Sequence, residues 1–288
     1  MFKRHSDQQI VARPMLCSLT GFLDAGFGAK IAADYLLKTC DCQLLYSFNV
    51  EKYLDFRQRR PAMLIKDGQY NSVEFEKIEV FLCKDSQDRD FLLMVGPEPD
   101  LNWKKFAKHF KFLLSETLPE IFINLGAFPA PAPHTRPIKI AAISPYKDLV
   151  ESIGFVRGAI EVPASVGSYL SLICYKNAIA AVGLWARVPH YVSQGAYYPG
   201  ALALLEQVTK LTGLVFDLGE LIKNATQNIV EVDEMVSKSE EHKKLISLLE
   251  AGIDAAEGSP LDIVQIPSGD EIAKELEKFL KEQGNQGD

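Results

Sequence analysis

The sequence predicts an α/β fold in which helices cover a layered, largely parallel sheet. Apolar, strand-like runs alternate with amphipathic segments between residues 15 and 211, the pattern expected for strand-helix-strand units. After about residue 216 the strand patterns end and charge rises, which predicts helices. We therefore expect a flexible N-terminus (1–13), an α/β core domain (14–215) and a helical C-terminal region (216–288).

Each predicted element is an apolar run that ends at turn or capping residues. Pro97 and Pro99 end one strand, and Asp100 is a suitable cap for the helix that follows. Ser268 and Glu271 have capping-box spacing and predict a last helix. The predicted strands are 15–20, 43–49, 78–83, 91–95, 121–125, 138–143 and 178–185, and the predicted core helices are 29–38, 103–117, 163–175 and 201–211.

Composition excludes several classes of function. The 31 Lys and Arg against 38 Asp and Glu give a net charge of −7, which does not favour nucleic acid as a partner. There is no apolar run of 18 residues and no signal-peptide pattern at the N-terminus, so we expect no membrane span and a cytoplasmic location. The five cysteines are expected to be buried, reduced thiols.

A glycine-rich turn follows the first predicted strand. Gly21, Gly26 and Gly28 precede a helix, so backbone amides at Gly26 and Gly28 could bind an anion. A dinucleotide fingerprint would need glycine where the chain has Ile31, and the lysine of a P-loop is absent. The alternative is a tight turn in which Asp24 caps the helix. We expect no cofactor.

Charged and aromatic side chains around residues 55–103 have two interpretations. Arg57, Arg59 and Arg60 either pair with nearby acids on a surface loop or, with Trp103, form a subunit contact. Glu98 lies between two prolines and is therefore rigidly placed. It is a candidate catalytic acid, or it accepts hydrogen bonds from backbone amides in a turn.

Two Pro-His pairs follow predicted strands. Prolines at 129, 131, 133 and 137 stiffen a loop that carries His134, Thr135 and Arg136, and a second pair precedes Tyr191. Loops after parallel strands gather at one edge of a sheet. This carboxyl edge is predicted to bring together five candidate side chains: Asp24, Glu98, His134, Arg136 and His190.

Six motifs, in order along roughly residues 14–255, resemble the PAC2 (proteasome assembly chaperone 2) family, and in particular its actinobacterial branch of uncharacterised proteins. They are GFLDAG (21–26), DFRQRRP (55–61), GPEPDLNW (96–103), PHTRP (133–137), VPAS (162–165) and VPHY (188–191) with Tyr198 and Pro199.

The resemblance implies a three-layer α/β/α sandwich of the phosphorylase/hydrolase-like kind with a helical C-terminal appendage. It also implies homo-oligomers, with a trimer as the expected order, and the proteasome or another protein complex as a partner. Archaeal relatives dock on the proteasome through a hydrophobic-Tyr-X tail. The last residues here, 285–288, do not match that tail, so we do not expect docking through it.

Two functions fit these observations. The first is a non-catalytic assembly chaperone or interaction factor. The second is a small-molecule hydrolase, phosphorylase or ligase-like enzyme, in which His134 or His190 acts as acid or base and Arg136 holds an anion. His134, His190 and Asp24 could also be considered as metal ligands, but we expect no metal, because no complete ligand set is evident.

Overall fold

The structure is a computed structural model that describes residues 2–5, 10 and 14–255. The strands are β1 (Phe2–Arg4), β2 (Pro14–Thr20), β3 (Asp41–Phe48), β4 (Ala62–Lys66), β5 (Gln69–Glu74), β6 (Glu79–Lys84), β7 (Asp90–Pro97), β8 (Ile121–Ala130), β9 (Ile140–Ile143) and β10 (Ala180–Pro189). The helices are α1 (Gly28–Thr39), α2 (Trp103–Thr117), α3 (Lys147–Ile153), α4 (Val166–Lys176), α5 (Tyr198–Thr212), α6 (Gly219–Ser237) and α7 (Glu240–Ala255). The helix predicted after residue 268 lies outside the described residues.

Eight strands form one mixed sheet in the order β1-β3-β6-β7-β2-β8-β10-β9. The four central strands, β7, β2, β8 and β10, are parallel. The strands on either side pair antiparallel. The prediction of a largely parallel sheet therefore holds for the centre alone. A short loop joins β6 to β7, and residues 49–78, which include β4 and β5, join β3 to β6, so neither connection contains a crossover helix of the kind that parallel strands need.

Helices cover both faces of the sheet, which confirms the predicted three-layer α/β/α architecture. On one face α1 and α5 pack on the central strands and α6 packs on α5, with Leu36, Leu204 and Leu221 fully buried. On the other face α2 and α4 pack on the same strands through residues such as Phe110 and Leu170. Successive side chains of a strand point to opposite faces of the sheet, so the same strands contribute apolar residues to both cores.

The strand β8 is longer than predicted. The prolines after residue 126 were expected to form a loop, yet β8 continues to Ala130 in parallel register with β10. β2 pairs with β8 only as far as Asn124. Beyond that residue β8 lacks this neighbour, and a proline at such a position removes no ladder hydrogen bond.

A two-stranded hairpin, β4 and β5, lies outside the main sheet. Asp67 and Gly68, both at positive φ, form its turn, and neither strand is among the predicted elements. Every residue of both strands is exposed. The hairpin therefore adds nothing to the two cores described above.

Two further expectations differ from the structure. Within the N-terminus expected to be flexible, Phe2–Arg4 pair antiparallel with β3, and Arg4 forms an ion pair with Glu116. Cys42 and Cys83, expected as reduced thiols, are paired residues on β3 and β6 and form a disulfide. Disulfides are rare in reducing compartments, so this pair does not support the expected cytoplasmic location.

The remaining cysteines, Cys17, Cys40 and Cys174, are thiols. Burial raises the pKa of all three, that of Cys174 to about 12. They are protonated at neutral pH and are not poised as nucleophiles. Among the described residues, no helix combines the length and the apolar character needed to cross a membrane.

Asp85 joins the β6–β7 turn to the segment before α6. Its buried carboxylate accepts hydrogen bonds from the backbone of Gln87, Arg89 and Val215 at 2.8–2.9 Å and from the Arg89 guanidinium. Burial alone would raise the pKa of Asp85, but these donors outweigh it and hold the pKa at about 2. The charged carboxylate therefore stabilises the fold above pH 4, and this contribution is lost as the pH falls towards 2.

We expect Asp85→Asn to lower the free energy of unfolding at pH 7 by about 1.5–3 kcal/mol, because charge-assisted hydrogen bonds are lost. The difference from the wild type should shrink as the pH falls from 4 to 2. Urea denaturation at several pH values measures both effects. Asp88→Asn is the matched control in the same turn: Asp88 is exposed at a positive φ that asparagine tolerates. A pH-independent difference, or an equal loss in the control, would contradict this role.

Candidate functional site

The carboxyl ends of β7, β2, β8 and β10 lie along one edge of the sheet, as predicted for the loops that follow them. The backbone joins two of these loops directly. Gly26 N–H donates to the carbonyl of Ser193, and Tyr197 N–H donates to the carbonyl of Gly26. Gly26 has φ +63°, and a Cβ there would lie 2.6 Å from that of Tyr197, so this close approach needs glycine.

Asp24 is engaged with the first turn of α1. Its two carboxylate oxygens accept hydrogen bonds from the backbone N–H groups of Ala29 (2.8 Å) and Lys30 (2.9 Å). Burial raises the pKa of Asp24, and these two amides oppose the rise. This arrangement corresponds to the second interpretation of the glycine-rich turn, in which Asp24 caps the helix. The amides at Ala29 and Lys30 serve a carboxylate of the chain itself.

Glu98 directly follows β7, and its side chain contacts the first residue of α4. Its backbone N–H donates to Thr20 O at 2.6 Å, and its carboxylate accepts a hydrogen bond from the Val166 backbone N–H. Burial raises the pKa of Glu98. Glu98 therefore joins β2 to α4, which corresponds to the backbone-bonding interpretation of this residue. Its candidacy as a catalytic acid stays a prediction.

His134 is the most enclosed of the candidates, with 3% of its surface exposed. The Tyr191 hydroxyl oxygen lies 2.8 Å from both the His134 backbone N and Nδ1. Nε2 lies 2.9 Å from Oδ1 of Asp233 on α6. Because the carboxylate only accepts, Nε2 carries the proton in the neutral ring, and the Tyr191 hydroxyl donates to Nδ1. Burial raises the pKa of Tyr191 to about 12, so the hydroxyl keeps its proton.

We call the contact of His134 with Tyr191 and Asp233 the His134 clasp. The next two residues, Thr135 and Arg136, make further contacts with α7. The Thr135 hydroxyl donates to Glu250, and the Arg136 guanidinium donates to Glu250 and to both carboxylate oxygens of Asp254 at 2.8–3.1 Å. Residues 134–136 thus hold α6 and α7 against the carboxyl edge of the sheet.

His190 is exposed, and its ring contacts the edge of Tyr191 with 5.3 Å between ring centroids. The His134 ring also contacts Tyr191, at 5.8 Å. The two histidines therefore share Tyr191 as a neighbour. Their joint role as acid and base stays a prediction.

The four interface candidates differ in their surroundings. Arg59 pairs with Asp100, its Nε 3.0 Å from each carboxylate oxygen. Trp103 donates from Nε1 to Pro99 O and stacks on Tyr169. Arg57 and Arg60 are exposed, which leaves these two accessible to another chain.

Asp233, Glu250 and Asp254 were not predicted as partners of the carboxyl edge, because the pattern of acidic residues on a charged helix does not indicate which distant residues they contact. Within residues 2–5, 10 and 14–255, no three His, Cys, Asp or Glu side chains form a group that could hold a metal ion.

Comparisons with known proteins agree on one family. The profile of the PAC2 family matches residues 18–236. The chain is similar to the structure of a Mycobacterium tuberculosis protein of unknown function, Rv2714, with 31% identity and a TM-score of 0.84 over 90% of this chain and 92% of that one. A Corynebacterium glutamicum protein of unknown function is 26% identical, with a TM-score of 0.84 over 90% and 98% of the two chains.

A third similar structure is that of the Mycobacterium tuberculosis proteasome-assembly chaperone homologue Rv2125. It is 25% identical, with a TM-score of 0.75 over 81% of this chain and 99% of that one. A search of curated proteins found no match.

We expect Tyr191→Phe to lower the free energy of unfolding by about 1–3 kcal/mol, because it leaves the His134 amide and Nδ1 without a partner in a buried position. Urea denaturation measures the loss. Limited proteolysis should show earlier cleavage in α6 and α7. Tyr175→Phe, which removes the hydroxyl of an exposed tyrosine on α4, is the matched control and should leave both readouts unchanged. Wild-type stability in Tyr191→Phe would contradict the importance of the clasp.

Proposed function

Because this chain belongs to the PAC2 family, we propose that it acts as a non-catalytic assembly chaperone or protein-interaction factor and works as a homo-oligomer. The observation that carries the proposal is the exposed hairpin β4–β5. The contacts of the His134 clasp support it further, because they use the candidate acid–base side chain to hold the fold together.

The hairpin presents large apolar side chains to solvent. Ile65 pairs with Tyr70 and Met63 pairs with Val73, so each pair lies on one face of the ladder. These four side chains are 45–82% exposed. An isolated two-stranded hairpin is at best marginally stable in water, and clustered exposed apolar residues indicate a contact surface. A second copy of the chain would cover these side chains.

Arginines near the base of the hairpin fit the same interpretation. Phe75 follows β5 and packs against Phe56 with 5.1 Å between ring centroids. Arg57 directly follows Phe56 in the sequence, Arg60 comes three residues later, and both side chains are exposed. Arginine is enriched in protein interfaces. We propose a trimer, the order implied by the family resemblance.

We propose proteasome subunits as the client of this oligomer. Support comes from Rv2125, which is described as a proteasome-assembly chaperone homologue and is 25% identical to this chain. The alternative, a small-molecule hydrolase, phosphorylase or ligase using His134 and His190, has less support. Both ring nitrogens of His134 contact side chains of the fold.

We expect the wild-type chain to sediment as a multiple of its 32.0 kDa mass, and the Ile65→Glu/Tyr70→Glu variant to sediment as the 32.0 kDa monomer. Two buried carboxylates without partners would oppose association. The control is Ile222→Glu/Leu248→Glu, which changes comparably exposed residues on α6 and α7 and should keep the wild-type mass. A monomeric wild type, or an unchanged mass in the hairpin variant, would contradict the proposed self-association.

The client is tested separately, with purified, unassembled proteasome subunits from the organism that encodes the chain. The wild-type oligomer should co-sediment with these subunits and speed the appearance of assembled particles. An oligomer that neither binds subunits nor changes the rate of assembly would overturn the proteasome role. The proposal of self-association would not be affected, because the sedimentation experiment tests it independently.

A further inference from the structure

A cavity of about 530 Å³ lies on the α4 face of the sheet, beside the carboxyl ends of β8 and β10. Its size is that of a small-molecule site. We call it the Arg187 cavity. Its walls come from the turn after β2, from the two strands, from β9 and α3, and from residues 155–168. The lining residues include Phe22, Phe128, Trp185, Arg187, Ile160 and Val162.

The Arg187 cavity is separate from the His134 clasp. Along β10, Leu184 and Ala186 point into the core under α1 and α5, so Trp185 and Arg187 point to the opposite face. None of the five candidates for the carboxyl edge lines the cavity. Its ligand would therefore not need His134 or His190.

Two glycines shape the floor of the cavity. A Cβ on Gly126 would lie 2.5 Å from ring atoms of Trp185, and a Cβ on Gly183 would lie 2.9 Å from its Nε1. Both distances are impossible contacts, so the indole lies against the sheet only because these positions are glycine. With glycine at both positions, the Trp185 indole lies against the sheet and forms the floor of the cavity. With a larger residue at either position, the ring would have to move away from the sheet.

The walls are mostly apolar, and the three serines among them, Ser144, Ser165 and Ser168, form hydrogen bonds within the fold. Two further buried donors also line the cavity. Nε of Arg187 and Nε1 of Trp185 have no hydrogen-bond partner among the described residues. Burial lowers the pKa of Arg187, although an arginine side chain keeps its charge in proteins. No acidic side chain lines the cavity. The Arg187 side chain as a whole is half-buried, but its Nε is buried without a partner, and an unpaired buried donor is costly. An anionic ligand would satisfy both groups.

We propose that the Arg187 cavity binds a small apolar monocarboxylic acid, such as a medium-chain fatty acid. The carboxylate would accept hydrogen bonds from Arg187 and from Trp185 Nε1. The chain would lie along Phe128 towards the mouth, where Phe22, Ile160 and Val162 are partly exposed. Arg187 is the one cation among the lining residues, which suits a singly charged head group better than a phosphate.

The test compares decanoate with 1-decanol, an uncharged molecule of the same length, both kept far below the concentrations at which decanoate forms micelles. Calorimetry should show one decanoate per chain and tighter binding than for decanol. In a Trp103→Phe background, which leaves Trp185 as the single tryptophan, decanoate should change the fluorescence. Absence of binding, or equal affinity for decanol, would overturn the proposal.

Arg187→Met separates a binding role from a structural role. We expect decanoate affinity to fall by about tenfold to a hundredfold, because a charge-assisted hydrogen bond is lost, while decanol binding stays unchanged. Without ligand, the unfolding temperature should equal or exceed that of the wild type, since a buried donor without a partner is removed. A lower unfolding temperature with unchanged decanoate affinity would show a structural residue and overturn the assignment.

Arg157→Met is the matched control. Arg157 is exposed on the neighbouring loop and does not line the cavity. The same change of charge there should leave decanoate affinity unchanged. An equal loss of affinity in both variants would show attraction to net charge without a site, and would also overturn the proposal.

Discussion

The parallel pairing of β8 with β10 is the constraint on which the rest of the structure depends. Ten consecutive residue pairs, from Ile121 with Ala180 to Ala130 with Pro189, leave no freedom of register between the two strands. A shift by one residue would exchange the two faces of a strand. Leu184 would then leave the α1 and α5 core, and Trp185 would enter it.

The same register positions both features of functional interest. Beyond the last pair, the chain continues into His134 on one side and Tyr191 on the other, so their hydrogen bond follows from the length of the ladder. On the opposite face, the pairs Gly126 with Trp185 and Phe128 with Arg187 set the floor and wall of a cavity. One pairing thus supports an interface with the C-terminal helices and, separately, the Arg187 cavity.

The sequence predicted well those features that depend on local pattern. Alternation and helical spacing placed the central strands, and parallel topology placed their loops at one edge. Partners remote in the chain could not be predicted: Asp233 lies 99 residues from His134, and nothing in the pattern around either residue names the other. Arg187 was missed because the predicted strand ended at residue 185. A single charge in an otherwise apolar strand was the available signal.

The His134 clasp also bears on how the molecule opens. It joins a loop to helices about a hundred residues later in the chain, whereas the two cores beneath are built mainly from strands and from the helices that precede α6. The contacts of α6 and α7 with the carboxyl edge are polar, and α6 adds only a few side chains, such as Leu221 and Val232, to one core. We therefore expect the two helices to detach as one cooperative unit. Native-state hydrogen exchange in α6 and α7 would then report a lower opening free energy than in β8 and β10. The carboxyl edge would become accessible in that partly open form, without unfolding of the sheet.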